Sequence, residues 1–116
     1  MEQNEESGAS AGAPIPEKVN GRECYSVTLE TPIKREGGDI ETVKVMKPKP
    51  GDMRGLSMKA IWDMDTLAIM TLLPRVTSPT LVEHEVQNMD IVDLMECGGA
   101  VVGFLLPKGV RQQAAG

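Results

Sequence analysis

The apolar residues of this chain change period once, near Ser57. Before that point Tyr25, Val27 and Leu29 alternate with Ser26, Thr28 and Glu30. Residues 40–46 (IETVKVM) alternate again, with Val43 and Val45 on one face. Alternation is the pattern of strands with one buried face. After Ser57 the apolar residues recur at three and four, the spacing of helices that bury a stripe. Strands first and helices afterwards predict an α+β fold. The expectation is an N-terminal β-hairpin over about 24–47, followed by a small bundle of three or four short helices reaching residue 106.

The hairpin turn falls at Glu36-Gly37-Gly38-Asp39, residues that tolerate positive φ, and Pro32 and Pro48 bracket its strands. An isolated hairpin is barely stable in water, so one face needs a cover of helices or another subunit. Lys47-Pro48-Lys49-Pro50-Gly51-Asp52 then reads as a stiff polar connector. Ser57 can cap a short turn through Ile61 and Trp62. Asp63 or Asp65 can cap a helix carrying Leu67, Met70 and Leu73, closed by Pro74. Thr80-Leu81-Val82-Glu83 has the form of a capping box and opens a helix ending near Asn88. Asp90 can cap the last helix, with Ile91, Leu94, Met95, Val101, Val102 and Leu105 at helical spacing and Pro107 after it. Gly98, Gly99 and Gly103 weaken that helix by roughly 1 kcal/mol each relative to Ala; close backbone approach by another helix and simple tolerance explain them equally well.

With 116 residues there is room for one domain. Residues 1–22 are rich in Glu, Ser, Gly and Ala with little to bury, and are expected to form a disordered acidic tail. The folded domain should span 23–107, with a flexible tail over 108–116. A core of that size is marginal, because apolar burial and chain entropy nearly cancel. The longest apolar run, Ala100 to Leu106, is too short to span a bilayer, and the start carries no apolar signal segment. No membrane association and an intracellular, soluble protein are expected.

Charge and residue types narrow the function further. A net charge of −5 disfavours a phosphate-binding surface, and one Trp, one Tyr and one Phe leave little to stack on bases, so no nucleic-acid partner is expected. The stretch Gly51-Asp52-Met53-Arg54-Gly55-Leu56-Ser57 lacks the spacing and the Gly-Lys-Ser/Thr of a phosphate loop. His84 is the lone histidine and reads as an exposed helix residue, so neither a histidine metal site nor a nucleophile relay can be assembled. Cys24 and Cys97 carry no ligand spacing and suit a reducing compartment. The pairs Asp63/Asp65 and Asp90/Asp93 stand where helix caps and first-turn acids belong. Trp62 reads as a core anchor. The chain is expected to be no enzyme and to need no cofactor or metal.

The order of segments resembles a known family. Lys49-Pro50-Gly51-Asp52-Met53-Arg54-Gly55-Leu56 runs into an acid-capped helix. Leu72-Leu73-Pro74-Arg75-Val76-Thr77 and Pro79 follow, then Asp93-Leu94 and Val101-Val102-Gly103-Phe104-Leu105. From about Val27 to Leu106 this resembles the phage tail assembly chaperones of Mu-type and related contractile-tailed phages and prophages. The resemblance implies a non-catalytic factor of the bacterial host cytoplasm that binds the tape measure protein, supports tail tube assembly and is absent from the mature virion. It also implies a longer form made by frameshifting, through which the tail tube protein could be reached; Phe104-Leu105 could lie on a slippery run. A small structural or adaptor component of the tail is the rival reading.

Eight methionines fit this expectation, since flexible, polarisable side chains suit surfaces that accept varied apolar partners. For most individual positions, however, filling an undemanding core is the favoured reading. A homo-oligomer is expected, with an apolar groove lined by Met95, Val102 and Leu105, and Leu67 and Met70 nearby, receiving helical segments of the tape measure protein.

Overall fold

The computed structural model describes residues 17–19 and 21–107. It is an α+β fold: an antiparallel sheet, mostly N-terminal, with four helices after it. The strands are β1 (Glu17–Val19), β2 (Arg22–Ile33), β3 (Ile40–Met46) and β4 (Thr77–Ser78), in spatial order β1-β2-β3-β4. The helices are α1 (Met58–Trp62), α2 (Thr66–Val76), α3 (Glu83–Gln87) and α4 (Ile91–Phe104). A 3-10 turn over Pro50–Met53 joins β3 to α1.

The expected hairpin is β2–β3, turning at Gly37 (φ +88°) and Gly38 (φ +139°), where a side chain would be strained. It gains a strand that the tail assignment missed. Val19 pairs with Arg22, and Gly21 just before Arg22 has φ +82°. The folded region therefore starts by Glu17 rather than at residue 23. The proposed tails over 1–16 and 108–116 lie outside the described residues.

β2 also runs through Pro32 instead of stopping before it. Thr28 faces Thr42 and Ile33 faces Ile40, so five steps along β2 are matched by two along β3. Pro32 sits inside this bulge, where no ladder hydrogen bond is demanded of it. The bulge frees the N–H groups of Glu30 and Thr31, and a side chain from α4 takes both. Asp93 Oδ1 accepts from Glu30 N at 2.7 Å and Oδ2 from Thr31 N at 3.1 Å, with Asp93 fully buried. Asp90 caps α4 through Val92 N and also accepts from the Thr31 hydroxyl at 2.9 Å. At the other end of α4, Phe104 stacks on Tyr25 with centroids 4.3 Å apart.

One face of the sheet (Val27, Leu29, Ile40, Val43, Val45) packs on Ile61, Ile69, Leu72, Leu73, Val76, Leu81, Val86, Leu94 and Val101. Ser57 caps α1 through Ala60 N and Asp65 caps α2 through Ala68 N. Pro74 does not close α2: the helix continues to Val76 because Leu73 and Val76 are fully buried on its inner side. The Thr77 hydroxyl then donates to Leu73 O and accepts from Leu81 N. That bond holds Leu81 in the core before α3 begins, so the capping box does not use Thr80 and Glu83. The helix starts two residues later, and Glu85 closes it by accepting from Val82 N at 3.0 Å.

Asp93→Ala should lower stability by about 2 kcal/mol, since it takes the acceptors from two part-buried N–H groups and empties the site of a buried carboxyl. Asp90→Ala should cost about 1 kcal/mol, the usual loss of a helix cap. Urea unfolding of the two variants checks the ranking.

Candidate functional site

The charged groups come first, because they decide whether any chemistry is on offer. Arg35 reaches across to α3 and donates from Nε and Nη2 to both oxygens of Glu85, each at 2.7 Å, and from Nη2 to Thr80 O. These bonds hold the Glu85 carboxyl down at about 2, against the ordinary 4.5; burial pushes the other way, and the Val82 N–H adds to the lowering. Asp63 pairs with Lys59, Asp65 and Asp90 are caps, and Asp93 is the clamp on the bulge. The carboxyl pairs singled out in the sequence thus hold structure. His84 is exposed, with Asn88 Nδ2 donating to its carbonyl at 2.8 Å. Burial, with Asp93 and Glu96 nearby, pushes the Cys97 thiol up to about 12, which leaves it inert as a nucleophile. Among the described residues no group of three metal-ligating side chains occurs, and no helix is long and apolar enough to cross a membrane.

The basic connector is pinned at its acid. Asp52 Oδ2 accepts from Arg22 Nη2 and from Lys49 N, each at 2.9 Å, and Arg75 Nη1 donates to the carbonyls of Asp52 and Arg54. Backbone carbonyls and one carboxylate absorb these cations, so the cluster serves the turn.

What remains is apolar surface. α4 buries Asp93, Leu94, Cys97, Gly98, Val101 and Phe104. Its opposite side exposes Ile91 (65%), Val92 (43%) and Met95 (58%). Met95 and Val102 are seven residues apart, about 20° around the helix, and so share a stripe; Gly99 lies between them. Val102 is half-buried. Leu105 sits past the end of α4, half-buried and packed against the core, so it borders this stripe from the inner side.

Leu67 and Met70 stand on α2, which packs mainly on α3 and the 3-10 turn, whereas α4 packs on β2. Leu67 is exposed (71%) and Met70 is half-buried against the core. Trp62 is half exposed and does not anchor the core. α1 is a single turn with room to bury one side chain, and Ile61 takes that place. Trp62 and Met58, four residues apart, share its outer face. Sequence reasoning did not include Met58, Trp62 or Val92 in the site, although the i, i+4 spacing of Met58 and Trp62 was a readable signal. The methionines divide: Met53, Met64, Met70 and Met89 pack on the core, while Met58 and Met95 face out.

Residues 26–106 match the family model described as "Phage tail assembly chaperone proteins, E, or 41 or 14". The chain belongs to this family. It is 42% identical over 85 residues to tail assembly protein E of Escherichia phage P2, covering 73% of this chain and 93% of that relative. It is also 42% identical over 80 residues to tail assembly protein E' of the same phage, covering 69% of this chain and 56% of the relative. The chain thus spans most of the first and just over half of the second. No solved structure matches it.

The Glu85–Arg35 pair makes a pH prediction for this chaperone. A carboxyl whose pKa is lowered by folding contributes fully above its ordinary value of 4.5 and loses that contribution as pH falls towards 2. Glu85→Gln should therefore flatten the loss of stability across that interval. Thermal unfolding of both proteins between pH 5 and about 2.5 reads the difference.

Proposed function

We propose that this tail assembly chaperone acts without catalysis by binding the tape measure protein through the outer, apolar side of its helices. The observation that carries the reading is the exposed face of α4, where Ile91, Val92 and Met95 stand out on a helix whose other side is already in the core. A tape measure protein is long and exposes apolar helical segments until the tube encloses it. An apolar helix face offers such a segment a temporary partner. Met95 and Val102 form the centre of the surface, Leu105 its inner border, and Leu67 and Met70 an extension on α2. Apolar contacts of this kind also support self-association into a homo-oligomer.

The proposed place of action is the host cytoplasm, before the virion is complete. A longer frameshifted product that reaches the tail tube protein belongs to the same reading. The two P2 relatives support it: both resemble this chain to the same degree, and one is much the longer. A slippery heptamer near the 3′ end of the gene and a second, larger band on a blot are the expected signs. A gene without the heptamer and a single band would remove the longer form.

Met95→Asp should abolish capture of the co-expressed tape measure protein in a pull-down, while His84→Ala should leave it intact. Met95 is the better probe than Leu105, because an acid at Leu105 would also disturb the core. If Met95→Asp still captures the tape measure protein and the chain is found in purified virions, the structural-component reading replaces this one.

A further inference from the structure

Once internal pairs are set aside, the remaining charges separate along the direction of β2. At the start of the strand Arg22 pairs with Asp52 at 2.9 Å, and Lys47 lies 4.0 Å from Glu23. Lys49, Arg54 and Arg75 are left over, all exposed and without a carboxylate partner among the described residues. The carbonyls of Asp52 and Arg54 accept from Arg75 Nη1, which fixes the guanidinium and leaves its charge uncompensated. At the other end of β2 the balance is reversed. Lys34 pairs with Asp39 and Arg35 with Glu85. Glu30, Glu36, Glu41 and Glu83 remain there, exposed and without a cation partner among the described residues.

Twelve residues of strand hold the two ends roughly 35 Å apart. The Debye length at physiological salt is about 8 Å, so the two sets cannot neutralise each other within one chain. The ends also differ in shape. Beside the unpaired cations lies a hollow of about 490 Å³ lined by Gly51, Asp52, Arg54, Gly55 and Arg75. The acidic end carries the hairpin turn, in which all of residues 36–39 are exposed.

We infer that copies of this chain associate head to tail, with the acidic hairpin end of one seated in the basic hollow of the next. Glu36 and Glu41 then face Lys49, Arg54 and Arg75. The inference rests on the self-association part of the proposed function and assigns it to the charged ends. A foreign acidic segment would account for the cations alone. A second copy accounts for both ends, because each set of unpaired charge finds its complement on the same chain. Such a contact is heterologous: every added copy offers a free end, so the assembly grows into a ring or an open array. Charge complementarity supplies orientation more than affinity, which makes the contact weak, reversible and sensitive to salt. It uses none of Ile91, Val92 and Met95, so each copy in the array still presents the outer face of α4.

The test is sedimentation equilibrium of the full chain over a range of concentrations, at roughly 20 mM and 500 mM salt. The wild type should associate at low salt and lose about tenfold or more in association constant at high salt. Lys49→Glu/Arg54→Glu and Glu36→Lys/Glu41→Lys should each keep Tm and each fail to associate. An equimolar mixture of the two should associate again, because one variant retains the native acidic end and the other the native basic end. A wild type that stays monomeric, or a mixture that does not recover, overturns the inference. Association indifferent to salt and to both variants overturns it too, while keeping self-association through another surface. Capture of the tape measure protein is read separately by pull-down with Met95→Asp. If Lys49→Glu/Arg54→Glu loses that capture while the wild type is monomeric, the basic end faces the partner and the head-to-tail contact is discarded.

Discussion

Two backbone N–H groups in a bulged strand, satisfied by one buried carboxyl, hold this domain in its arrangement. The bulge at Leu29–Pro32 breaks the β2–β3 ladder and would leave the donors of Glu30 and Thr31 stranded. Asp93 supplies both acceptors from the first turn of α4. Because a buried carboxyl without its donors is expensive, the helix cannot shift along the sheet without losing both bonds. The Tyr25–Phe104 stack fixes the far end. Between these two points α4 lies across β2 in one orientation, which decides which of its residues face the core and which face outward.

That fixed orientation separates two sets of side chains that share a helix. Leu94, Cys97 and Val101 contribute to folding, while Ile91, Val92 and Met95 do not. Small domains have little stability in reserve, so an apolar residue left outside is a recurring cost in solubility. Acidic side chains offset part of it: the chain has a net charge of −5, and Glu83 and Glu96 stand exposed on α3 and α4. Such a face is held rigidly and kept apart from the core, so contacts made there need not disturb the fold.

Much of the fold could be read from local pattern. The period change at Ser57 gave the α+β order, and the caps at Ser57, Asp65 and Asp90 were legible because each is a bond within three residues. The features that escaped depend on distant residues. Asp93 looks in sequence like any first-turn acid, and its partners lie 62 and 63 positions away. Glu85 replaces Glu83 at the start of α3 because the Thr77 hydroxyl has already engaged Leu81. β1 was passed over because its surroundings are polar, although Asn20-Gly21 is a strong hairpin dipeptide. In the candidate surface, Met95 and Val102 were legible as one stripe from their spacing. The relation of Leu67 and Met70 to that stripe depends on how α2 and α4 sit on the sheet, and no pattern within either helix encodes it.

The glycines of α4 show how far the separation of faces extends. A helix of fourteen residues with three glycines is a poor helix by propensity alone. One of the three is explained inside the monomer: a Cβ on Gly98 would stand 2.9 Å from Met64, whereas at Gly103 it would meet Tyr25 at an ordinary 3.8 Å. Gly98 lets α4 lie close to the α1–α2 corner, and the gain in packing offsets its weak propensity. Gly99 has no neighbour within 4 Å, so no packing within the chain offsets its weak propensity. The clamp at Asp93 and the Tyr25–Phe104 stack let the helix tolerate it, because a helix held at both ends tolerates a weak centre. Stability is concentrated at the ends and inner side of α4, which leaves the outer middle free of any demand from the core.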